Sequence, residues 1–96
     1  MELVFEWDPS KDRANFEKHS VTFTEATSVF SDPLARIFAD ERHATEEQRE
    51  IIIGHSRMRR LLLVCFTERR NGHVRIISAR RATRREQRDY EEHITP

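Results

Sequence analysis

A chain of 96 residues suffices for one domain, spanning 1–96, and leaves no room for a second. Charged residues (35%) balance hydrophobic ones (36%), but the apolar residues gather in runs such as Ile51-Ile52-Ile53 and Leu61-Leu62-Leu63-Val64, which excludes a disordered chain. The formal charge is zero, no apolar run approaches the roughly 20 residues that span a bilayer, and the acidic first residues lack the apolar centre of a secretion signal, so a soluble cytoplasmic protein is expected.

Glu2–Glu6 reads as a short strand. Asp8-Pro9 then opens a helix, with Asp8 as N-cap and Pro9 in the first helical position, running to about His19. Thr22-x-x-Glu25 is a capping box, and Phe23, Ala26, Val29 and Phe30 supply the apolar face of a second helix, which Asp32-Pro33 stops. From there the pattern is β: a strand over Leu34–Ala39, a polar loop over residues 40–48, a strand over Glu50–His55 and another over Arg60–Thr67. The last is apolar on both faces and therefore central. Asn71-Gly72 marks a hairpin turn into a strand over His73–Ala79. A second capping box, Thr83-x-x-Glu86, opens a helix that ends near His93. The expected fold is α+β, with N-terminal helices and a C-terminal helix packed on a small antiparallel sheet. Cys65, the sole cysteine, sits in an apolar run and reads as a buried core thiol.

With only Gly54 and Gly72, the chain has no glycine-rich phosphate loop, and its five histidines are dispersed with no zinc spacing. No cofactor and no metal are expected. The distribution of charge is more telling than its sum. Residues 1–48 hold Lys11, Arg13, Lys18, Arg36 and Arg42 against 11 acids, whereas residues 49–96 hold 12 arginines against 6 acids. Such segregation points to a basic surface for a polyanion. Arginine grips phosphate in two places and stays charged. Arg49, Arg60, Arg75 and Arg80 lie at or within strands. Depending on register, antiparallel neighbours can bring Arg49, Arg60 and Arg80 into one region. Simple alternation puts Arg75 on the same face as Ile77 and Ala79. RNA carries its own nucleophile, the 2′-hydroxyl, so a protein that cleaves it needs a base, cations for the phosphate and an acid for the leaving oxygen. Glu46 or Glu47, and His19 or His43, are the candidates for proton transfer. The tract Arg80–Arg88 is densely basic, and also fits a solvated helix with charge pairs.

Several segments in order resemble one family. They are Phe5-Glu6-Trp7-Asp8-Pro9-x-Lys11, Asn15-x-x-Lys18-His19-x-Val21-x-Phe23 and Ala26-x-x-Val29-Phe30-x-Asp32-Pro33. Then come Glu47-Gln48-Arg49, Ile53-Gly54, Arg60-Leu61-Leu62-x-Val64, and Arg75-Ile76-Ile77-Ser78-Ala79-Arg80-x-Ala82-x-x-x-Glu86-x-x-x-Tyr90. Together they are similar to the BrnT toxins of type II toxin–antitoxin systems. The resemblance implies a RelE-like α+β fold and a metal-independent endoribonuclease that inhibits translation and growth. It implies an RNA substrate and a BrnA-type ribbon-helix-helix antitoxin, the complex forming a heterotetramer on operator DNA, with no membrane partner. It assigns Arg49, Arg60, Arg80 and Glu47 to catalysis, and the expected substrate-binding residues are Lys18, His19, Arg75, Arg81 and Arg85. The chain departs from the family pattern at Ser20, where glycine is common, and at Gln48, where an acid is common. The alternative reading is a non-catalytic basic module that holds an antitoxin or RNA.

Overall fold

The computed structural model describes residues 2–40 and 48–94. Its elements are β1 (Val4–Glu6), α1 (Pro9–His19), α2 (Phe23–Thr27), a 3-10 turn (Ser28–Ser31), β2 (Arg36–Ala39), β3 (Glu50–His55), β4 (Leu61–Glu68), β5 (His73–Arg81) and α3 (Arg84–Ile94). The α+β class is as expected. The sheet order is β1-β5-β4-β3-β2, which puts the doubly apolar β4 at the centre.

Local chemistry sets the helix starts. Asp8 accepts from the Ser10 amide at 2.8 Å, and Pro9 opens α1 without sacrificing a needed donor. Thr22 accepts from the Glu25 amide at 3.1 Å. Thr83 and Glu86 close a complete capping box, with Glu86 N donating to Thr83 Oγ1 at 3.1 Å and Thr83 N to Glu86 Oε1 at 2.9 Å.

Three expectations are corrected. The strand at the N-terminus pairs parallel to β5, Val4 opposite His73 and Glu6 opposite Arg75, so only β2–β5 form the antiparallel meander. The second helix divides into α2 and the 3-10 turn. The second strand begins at Arg36 rather than Leu34, because Asp32 draws the preceding chain into a turn by accepting from the Leu34 and Ala35 amides. Nearby, β3 runs so close to that turn that a Cβ on Gly54 would lie 2.8 Å from the Ala35 Cβ.

The two sheet faces differ in cover. Leu62, Val64, Phe66, Ile52, Val74, Ile76 and Ala79 are buried with Val21, Phe23, Ala26 and Val29 in the main core. This is the face that α1 and α2 cover. On the opposite face α3 lays Tyr90 against Ile53 and Leu61, a smaller cluster, and among the described residues no other helix covers that face. None of the helices in the described residues is long and apolar enough to cross a membrane.

Candidate active site

Register places two of the expected arginines together. The cross-strand rows Arg36–Ile53–Leu63–Arg80 and Phe38–Ile51–Cys65–Ser78 project from the face that α3 only partly covers. Arg49, two residues before Ile51, belongs to the same face by alternation. Arg49 and Arg80 both line a hollow of about 230 Å³ floored by Ile51 and Leu63, and His19, Asp40, Cys65 and Ser78 line it too. His19 reaches it from the last turn of α1.

A β-bulge shapes this wall. Cys65 pairs with Ser78 but Phe66 pairs with Ile76, so Ile77 is the extra residue. Bulges bend the strand and re-aim the side chains that follow. The expected alternation through Arg75, Ile77 and Ala79 is therefore broken. Ala79 joins Val74 and Ile76 in the helix-covered core, while Arg80 turns to the open face.

Asn15, buried in α1, secures the same stretch. Its Nδ2 donates to the Ala79 carbonyl at 2.8 Å and the Val21 carbonyl at 2.9 Å, and its Oδ1 accepts from the Ala79 amide at 3.1 Å. One side chain thus ties the helix that carries His19 to the residue preceding Arg80. A polar, helix-indifferent residue inside a short helix was the available sequence signal for such a role. Asp40 was also missed as a member of the hollow. It is buried, its carboxylate accepts from Cys65 Sγ at 3.8 Å, and its amide donates to the Arg49 carbonyl at 2.9 Å. Burial, and then the Asp40 charge, push the Cys65 thiol up.

Arg80 is oriented from behind by Glu86. Two bonds of 2.8 Å join Nη1 to Oε1 and Nη2 to Oε2, and a third runs from Nη1 to the Arg81 carbonyl at 3.2 Å. The guanidinium holds the Glu86 carboxyl down to about 2. With its side chain still 37% exposed, Arg80 retains access to a ligand.

Arg60 does not join this group. It lies just before β4 on the alternation of Leu62 and Val64, so it faces the helices rather than the hollow. Its Nε donates to Glu25 Oε2 at 2.9 Å, its Nη2 to Glu25 Oε1 and to the Ser20 carbonyl at 2.9 Å, and Ser56 Oγ adds a 2.7 Å bond to Glu25. Glu25 is 4% exposed. Hydrogen bonding to Arg60 lowers the Glu25 carboxyl and raises the Arg60 guanidinium. The expected convergence of Arg49, Arg60 and Arg80 is thus corrected to Arg49 and Arg80, with Arg60 turned inward by its acid partner.

The remaining candidates spread out. Lys18 is exposed beside His19. Arg75 pairs with Glu6 at 3.6 Å, away from the hollow. Arg81, opposite Leu62, projects on the helix-covered face, and Arg85 is exposed on α3. Glu47, like Glu46 and His43, lies outside the described residues.

The fold and the hollow define a small α+β protein whose open sheet face presents guanidinium and imidazole groups suited to an anionic, phosphodiester-sized ligand. Residues 7–86 match the family model described as the ribonuclease toxin BrnT of type II toxin–antitoxin systems, and the chain belongs to that family. Its fold is similar to that of the Brucella abortus ribonuclease toxin BrnT, solved at 1.1 Å, with a TM-score of 0.63 and 24% identity over 88% of this chain and 99% of that one. No individually curated protein matches it in sequence.

Proposed function

We propose that this member of the family cleaves RNA without a metal, through attack of the ribose 2′-hydroxyl on the adjacent phosphate, and that this activity arrests translation and growth. The observation that carries the reading is the meeting of Arg49, Arg80 and His19 in one hollow. Arg80 and Arg49 hold the phosphate and offset the charge that gathers on its oxygens as the fifth bond forms. The 2′-oxygen bonds to phosphorus while the bond to the 5′-oxygen breaks, leaving a 2′,3′-cyclic phosphate and a 5′-hydroxyl. His19 supplies an imidazole able to take the 2′-hydroxyl proton or to return one to the leaving oxygen, and Asp40 supplies a nearby carboxylate. Arg60 is architectural in this reading: its donors are engaged by Glu25 and the Ser20 carbonyl. The neutralising partner is a BrnA-type antitoxin with a ribbon-helix-helix domain.

The test is incubation of purified protein with RNA in excess EDTA, beside the Arg80→Ala protein. Cleavage by the first, with cyclic phosphate ends, and its loss in the second is the expected result. Binding without cleavage would identify a non-catalytic RNA-binding module instead.

A further inference from the structure

A second hollow adjoins the first on the same sheet face. At about 330 Å³ it falls within the roughly 300–1,000 Å³ range of small-molecule sites. Leu63 lines both hollows, and the Arg80–Glu86 pair stands between them: Glu86 lines the second, while Arg80 lines the first. A ligand whose phosphate sits against Arg80 therefore has its next group at the mouth of this second space.

The lining is unlike that of its neighbour. Phe38 and Tyr90 contribute aromatic surface over Ile53 and Leu63, and the rim carries Glu86 and Asp89. Tyr90 is buried, with its hydroxyl donating to the Leu34 carbonyl at 3.0 Å, so it is a fixed wall. Phe38 is 47% exposed on the edge strand β2 and takes part in none of the aromatic ring contacts among the described residues. Its ring borders the space of the hollow. Arg36, which also lines the hollow, is drawn to the end of α3, where its Nη1 donates to the His93 carbonyl at 2.9 Å. Glu86 is already engaged by Arg80 and the Thr83 amide, which leaves the Asp89 carboxylate, on a rim shared with Arg36 and His93, to accept from an N–H group. A flat, neutral group with N–H donors on its edge, joined to a phosphate, fits both the walls and the charge.

We propose that this hollow holds the nucleobase flanking the scissile phosphate, stacked on Phe38 with its amino edge toward Asp89, and that it selects bases carrying an exocyclic amino group over uracil. The assignment rests on the ribonuclease reading above and adds the specificity that reading lacks. Base–aromatic stacking is sequence-tolerant, so Phe38 supplies affinity and Asp89 the discrimination.

The experiment uses the purified full chain and short oligoribonucleotides that place each of the four bases, or an abasic ribose, beside a mapped cleavage position. Phe38→Leu keeps an apolar side chain at an exposed site and removes the ring. It is expected to lower kcat/KM by about tenfold on base-containing substrates, mainly through KM, and to leave the abasic substrate cleaved at the wild-type rate. Asp89→Asn is expected to shrink the preference for amino-bearing bases over uracil. Unchanged constants and unchanged preference in both variants would overturn the base site, while the nuclease reading stands if Arg80→Ala still abolishes cleavage. A wild-type protein that cleaves no RNA removes both. Loss of antitoxin binding in Phe38→Leu, with cleavage untouched, would overturn the proposal by giving this face to the antitoxin.

Discussion

The chain uses the same pair of residue types twice, on opposite faces of one sheet. In each case an acid in the first turn of a helix receives a forked arginine from a strand or its threshold, and in each case that acid stands three residues after a capping threonine. At Glu25 the carboxylate leaves the cap and is consumed by Arg60 and Ser56 inside the protein. At Glu86 it still serves the cap, bonding the Thr83 amide, while it steers Arg80 outward. The difference lies in surroundings. Under α1 and α2 the carboxylate is buried and held by Arg60 and Ser56, so the pair fastens the turn between the two helices to the β3–β4 hairpin. At the edge of α3 the pair borders an open hollow, and the guanidinium keeps a face for a ligand.

The sharpest way to break this comparison is to remove each arginine. Arg60→Ala strands a buried carboxylate and is expected to destabilise the fold by about 3–5 kcal/mol. For a domain of this size that lowers the melting temperature by more than about 10 °C. Arg80→Ala is expected to cost cleavage about 10²–10³-fold, yet to change stability by about 1 kcal/mol or less. Comparable unfolding in both variants, followed by thermal denaturation, would erase the distinction.

Acid sharpens it further. The Glu86 carboxyl is held at about 2 against an ordinary 4.5, and Arg60 also lowers that of Glu25. Both groups bind protons more readily in the unfolded chain than in the native one. The stability they contribute is therefore complete above about pH 5 and is lost as pH falls through the ordinary carboxylate range toward 2. Chemical denaturation across this range is expected to show that decline, shallower in Glu86→Gln because one of the two groups no longer titrates. The smallest effect concerns the residue whose carbonyl Arg60 grips. Ser20 caps α1 with φ 59° and ψ 31°, a left-handed conformation that glycine adopts without penalty. Ser20→Gly is expected to stabilise the protein by about 1 kcal/mol, raising its melting temperature by about 4–8 °C. A fall instead would mean that the serine side chain contributes more than its backbone costs.

Helix starts were legible because a cap is decided within four residues: Asp8-Pro9 and the two Thr-x-x-Glu sequences each marked the right place. The long β4 was legible as central because both of its faces are apolar. What escaped was decided at a distance. The parallel pairing of β1 depends on β5, some 70 residues further along the chain, and three residues of strand carry no mark of direction. The bulge at Ile77 is invisible in an unbroken run of strand-forming residues, yet it decides which face Arg80 takes. Arg60 shares the parity of Leu62, which was readable, but the acid that turns it inward is 35 residues away and looked like an ordinary capping glutamate. His19 and Arg49 were identified by residue type and family pattern; Asn15 carried a sequence signal but no partner, and Asp40 shows its place only once the chain is folded.

Asn15 bears on how this site tolerates change. The separation of the imidazole on α1 from the guanidinium on β5 is fixed in part by a single amide that clasps both the N–H and the C=O of Ala79. Replacing an interior leucine or valine would alter how long the molecule stays folded more than how far apart these two groups stand. Exchange of that amide for a carboxylate of nearly identical shape would do the reverse, setting oxygen against the carbonyl oxygens of Val21 and Ala79 and prising the imidazole and the guanidinium apart.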